Sequence, residues 1–146
     1  MQRDIYKQLL RWKNKKTRKP LILNGARQVG KTYILREFGE KEYQKVAFFS
    51  LDRNKKVREV FEKSGNTADI LMALSAISQV NITPGDTLLV LDEIQDCPKA
   101  LEALKFFCEE TPDIHIVEAG SLLGLSLHDG TSYPVGKVEE MRLYPM

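Results

Sequence analysis

The chain is short of several things, and each shortage argues against a class of protein. Its 146 residues include only two cysteines, two histidines and one tryptophan. Cys97 and Cys108 make no CxxC pair and no disulfide framework. That argues against a secreted scaffold or a zinc module and suits a reducing cytoplasm. Long apolar runs are missing too: Ile70 to Thr83 is uncharged but too short and too polar to cross a bilayer. The start, Met1-Gln2-Arg3-Asp4, leads into charge rather than an apolar segment, so no secretory leader and no membrane partner are expected. With 42% hydrophobic and 29% charged residues, the composition is that of an ordinary globular chain of one domain.

Charge is unevenly placed. Residues 1–19 carry eight cations against Asp4 alone, a net of +7, and the remainder carries a net of −5. A basic head of this kind can meet nucleic acid or an acidic partner. It also reads as a solvated helix, because Ile5, Leu9 and Trp12 fall at i, i+4 and i+7 and form one apolar stripe ringed by cations. Residues 1–20 are therefore read as a basic helix, and nucleic-acid binding through residues 3–19 is kept as a weaker alternative.

After Pro20 the pattern changes to short apolar runs that alternate with helical segments. Strands are expected at 21–23, 46–51, 88–91, 114–117 and 138–144, because these runs are β-branched, aromatic or uniformly apolar and end at turn residues. Helices are expected at 31–39, 54–63, 67–80 with Thr67 as N-cap, and from Pro98 through Glu110. Phe48, Phe49, Phe106 and Phe107 are core candidates. Strands alternating with helices imply crossover connections and an α/β fold with a mostly parallel sheet covered on both faces. In such folds ligands bind at the carboxyl ends of the strands.

The first strand runs into Gly25-Ala26-Arg27-Gln28-Val29-Gly30-Lys31-Thr32, which is GxxxxGK[ST], the phosphate-binding loop. Its two glycines allow positive φ and close approach of the backbone to oxygen atoms. The loop's N–H groups then form an anion nest at a helix N-terminus. Lys31 would neutralise the β- and γ-phosphates, and the Thr32 hydroxyl would ligate magnesium. About sixty residues on, Leu88-Leu89-Val90-Leu91 delivers Asp92 and Glu93 at a strand end. Alone, an acidic pair there reads as a helix cap. Downstream of a phosphate loop, Asp92 reads as a holder of the magnesium water shell and Glu93 as the group that polarises a water.

Four segments together, Asn24 to Thr32, Leu91-Asp92-Glu93-Ile94-Gln95, Ala119 to Gly124, and Pro134 to Glu139 with Leu143 to Met146, resemble the prokaryotic predicted ATPases of the AAA superfamily. The resemblance implies a three-layer P-loop NTPase sandwich with a five-stranded sheet, another strand lying between the phosphate-loop strand and the acidic strand. It implies ATP and Mg2+ as substrate and metal, and Ser121 as a polar sensor of the γ-phosphate. Members of that family continue into a helical lid and a C-terminal domain. Residues 21–146 are accordingly expected to be an ATPase core lacking both, and self-association or a partner protein is expected to complete it. No DxxG with NKxD for guanine is present, since Asn54-Lys55-Lys56-Val57 lacks the aspartate, and no transporter-type LSGGQ occurs. Three readings follow: an ATPase using Glu93, a nucleotide-dependent switch with negligible turnover, and a small-molecule kinase. His115, between Ile114 and Ile116, is read as a strand-face histidine, and His128 has no neighbouring metal ligand.

Overall fold

The computed structural model describes residues 2–25, 30–121 and 136–143. Along the chain run α1 (Gln2–Asn14), β1 (Leu21–Gly25), α2 (Lys31–Glu42), β2 (Lys45–Ser50), α3 (Lys55–Lys63), α4 (Thr67–Ser78), β3 (Thr87–Asp92), a 3-10 turn (Ile94–Asp96), α5 (Pro98–Glu110), β4 (His115–Gly120) and β5 (Glu139–Leu143). The strands form one sheet in the order β2-β3-β4-β1-β5, and every pairing is parallel. β4 therefore lies between the phosphate-loop strand and the acidic strand, as the resemblance implies.

Alternation along the strands sends side chains to two separate cores. Ile22, Leu89, Leu91 and Ile116 join Val57, Ile70, Leu74, Leu104 and Phe107 in one cluster, under α3, α4 and α5. Leu21, Leu23, Leu88, Val90 and Val117 join Ile5, Leu9, Trp12, Leu35 and Phe38 in the other, under α1 and α2. Three layers result. β1, β3 and β4 are buried along their whole length, which explains why they read as continuous apolar runs. The apolar stripe of α1 is built into the second cluster: Leu9 and Trp12 are buried, and Trp12 Nε1 donates to Lys19 O at 2.7 Å.

Local details differ from the sequence reading at several points. α4 is capped by Asn66, whose Oδ1 accepts from Ala68 N and Asp69 N, and not by Thr67, whose hydroxyl instead donates to Glu110 at 2.9 Å. Both residues are good cap types, and the one a position earlier has the extended backbone that a cap needs. Phe106 is 37% exposed while Phe107 is fully buried, because adjacent helical residues cannot both face one core. β4 begins at His115, one residue later than expected, and ends at the expected Gly120-Ser121 turn. α2 continues through Glu42, one turn past Gly39.

Candidate active site

β1 ends at Gly25, and α2 begins after Gly30, whose φ of 86° and ψ of 16° are left-handed. Glycine is needed there, since an L side chain would be strained in that conformation. Ala26, Arg27, Gln28 and Val29 lie outside the described residues. Lys31 opens α2, is only 5% exposed, and forms no ion pair among the described residues. A buried ammonium without an anionic partner is a place prepared for one.

Thr32 and Asp92, sixty positions apart in sequence, meet: Thr32 Oγ1 donates to Asp92 Oδ2 at 2.6 Å. Asp92 is 4% exposed, and its other oxygen accepts from Glu93 N at 2.9 Å. The meeting follows from the parallel sheet, which aligns the carboxyl ends of β1 and β3 on the same edge. Hydroxyl and carboxylate oxygens suit a hard cation, and a hydroxyl that donates to a carboxylate keeps its lone pairs for a metal. Thr32 and Asp92 thus fit magnesium by both donor type and placement.

Glu93 follows at φ 57° and ψ 48°, left-handed for a residue with a side chain. This turn aims the chain into Ile94–Asp96, where Ile94 is fully buried and the Asp96 N–H closes the turn on Glu93 O at 3.1 Å. The Glu93 side chain is half-buried beside Gln95, whose Nε2 donates to Glu93 Oε2 at 2.7 Å. From β4, Ser121 enters through its backbone, its N–H donating to Gln95 Oε1 at 3.3 Å. Lys31, Thr32, Asp92, Glu93 and Ser121 thus stand at the carboxyl ends of three strands or just beyond them. The sequence pointed to all five, but it gave no role to Gln95, which becomes informative only when β4 delivers Ser121 next to it.

Elsewhere the charge and the titratable groups have structural uses. Lys15 pairs with Glu139 at 2.8 Å, Lys13 sits over the Tyr43 ring, and Arg18 donates to Lys13 O at 3.1 Å. Lys7 and Arg11 on the basic helix and Lys16 just after it remain exposed. His115 is buried against Tyr43, with Tyr43 Oη 2.6 Å from its Nδ1, and burial pushes its pKa down to about 4. Cys97 is buried and Cys108 half-buried, both as free thiols. Among the described residues no cluster of three or more His, Cys, Asp and Glu side chains could hold a metal, and no helix is long and apolar enough to cross a membrane.

With this geometry in view, comparison with known proteins is informative. A family model described as an AAA domain matches residues 17–146. The chain belongs to the AAA domain family. Solved structures share its α/β P-loop NTPase fold. It is similar to the Orc1 protein of Aeropyrum pernix in complex with DNA, at a TM-score of 0.62 and 15% identity, over 98% of this chain and 43% of that one. A RuvB variant from Thermotoga maritima matches at 0.56 and 19% identity, over 97% and 45%. PCH-2 of C. elegans matches at 0.53 and 15% identity, over 97% and 42%. The AAA domain thus spans less than half the length of each of these proteins, and at such identities the likeness is one of fold. No curated protein matches the sequence.

Proposed function

We propose that this AAA domain binds ATP through residues 25–32 and hydrolyses it, with Glu93 as the base. The observation that carries the reading is the 2.6 Å contact between Thr32 Oγ1 and Asp92 Oδ2, next in sequence to a buried Lys31 with no ion pair among the described residues. Gly25, Gly30 and the loop between them would cradle the phosphates with backbone N–H groups, and Lys31 would neutralise the β- and γ-phosphates. Magnesium held by Thr32, with Asp92 behind it, would supply positive charge to the β- and γ-phosphate oxygens. Glu93 accepts a proton from water while that water's oxygen bonds to the γ-phosphorus. The bond from phosphorus to the bridging oxygen breaks, and ADP and phosphate leave. Ser121, just beyond the end of β4, would sense the γ-phosphate. Free, unbridged cysteines fit work in the cytoplasm.

The test is a calorimetric titration with ATP and magnesium, followed by turnover measurements. Lys31→Ala should abolish binding, whereas Glu93→Gln should bind ATP and turn it over about 10²–10⁴-fold more slowly, the usual worth of a general base. Binding by Lys31→Ala at the parent's affinity would remove the phosphate site from the argument. Turnover by Glu93→Gln at the parent's rate would mean that another group is the base.

A further inference from the structure

Gln95 joins two groups of the site that no other side chain connects among the described residues. Its amide reaches both ways: Nε2 donates to Glu93 Oε2 at 2.7 Å and Oε1 accepts from Ser121 N at 3.3 Å. A peptide N–H can only donate, so it selects the oxygen end of the amide, and the donor end is left facing the carboxylate. Gly120 makes room for this. A Cβ there would press into Gln95 Oε1 and lie 3.0 Å from Ile94 N. The backbone agrees with the side chains, because Glu93 is kept in the left-handed region, which is strained for a residue with a Cβ. Buried Ile94 and the closed turn around it hold that conformation in place.

We propose that Gln95 is a positioning residue, which ties the Glu93 carboxylate to the backbone at the end of β4. The tie uses one carboxylate oxygen, Oε2, and leaves Oε1 for a water. It also makes the place of Glu93 depend on the strand end that carries Ser121, so the base and the proposed γ-phosphate sensor are held by one amide. The proposal rests on the reading of Glu93 as the base. It adds a residue and a linkage to that reading.

The experiment uses the 146-residue chain. Gln95→Leu removes both bonds. Gln95→Glu keeps an acceptor for Ser121 N but sets a carboxylate oxygen where the donor stood. Both should bind ATP with magnesium within about twofold of the parent while kcat falls about 10- to 100-fold, the loss expected when a reacting group is misplaced by about an ångström. Gln95→Glu should be at least as slow as Gln95→Leu. A second measurement does not depend on turnover, and its first arm needs no Gln95 variant. In parent protein, Glu93→Ala should move the backbone amide resonance of Ser121, and in a Gln95→Leu background the same change should leave it still. Turnover by Gln95→Leu equal to the parent overturns the proposal. Turnover above the parent overturns it as well, and shows the tie to be a brake. A Ser121 resonance indifferent to Glu93→Ala overturns it whatever the rates. Glu93→Gln turning over like the parent is a separate failure, that of the base assignment itself.

Discussion

Glu118 is the residue most at odds with its surroundings. It is fully buried on β4 between Ile22 and Leu91 of the adjacent strands, and neither carboxylate oxygen has a hydrogen-bond partner among the described residues. Burial holds its carboxyl well above the ordinary value of 4.5. An unbonded polar group in such a place costs about 1–3 kcal/mol. Glu118→Met, of similar length and with no polar end, should therefore raise the thermal unfolding midpoint at pH 8. A lowered midpoint would show that the carboxyl has a stabilising role. The sequence concealed this residue for a definite reason. The apolar run ends at Val117, and nothing local in the sequence shows that pairing on both sides draws the Glu118 carboxyl inside before the strand ends at Gly120. Lys31, Thr32, Asp92 and Glu93 were legible because a phosphate loop and an acid-tipped strand are local patterns with fixed spacing. Gln95 was not, because its two partners are joined only by the sheet.

Among the elements, α1 is the one whose role was most open. Its net positive charge suggested a head that works outward, yet its stripe closes the core over α2 and β1. Leu9→Ala should cost about 2–5 kcal/mol in chemical denaturation, as large-to-small changes in a close-packed core do. Lys7→Ala, on the exposed side, should shift stability by no more than about 0.5 kcal/mol. Equal midpoints for the two variants would mean that α1 is not part of the cooperative unit. Elements with a mechanical start signal were the easiest to read: Pro98 at the first position of α5 marked where that helix begins. Where two signals competed, as at Asn66 and Thr67 or Phe106 and Phe107, composition could not choose and packing did.

Two buried titratable groups set opposite pH dependences for the molecule as a whole. His115 is kept neutral in the fold down to about pH 4, whereas an unfolded histidine takes a proton near 6.5, so stability falls as the pH drops through that interval. Glu118 stays protonated in the fold above 4.5, where an unfolded glutamate has lost its proton, so stability falls as the pH rises. His115 contributes about 1.4 kcal/mol per pH unit between about pH 4 and 6.5, and above 4.5 the Glu118 contribution runs against it. Relative to the parent, Glu118→Gln should gain stability steadily across that window as the pH rises. His115→Gln should lose it as the pH rises. Unfolding curves at several pH values test both slopes, and parallel profiles for all three proteins would show that neither group titrates on unfolding.

The strand order has a consequence for how the molecule is made. β2 and β3 are neighbours that the first two-thirds of the chain can pair, whereas β1 has Val117 opposite Leu21 on one side and Glu139 on the other. The strand that launches the phosphate loop is synthesised early and must wait for the last part of the chain, since distant pairings form slowly and only after their loops close. A nascent chain that has not yet released His115 has the whole nucleotide motif in its sequence but no sheet on which to mount it. Competence to grip phosphate thus waits on β4 and β5, strands made long after the loop itself.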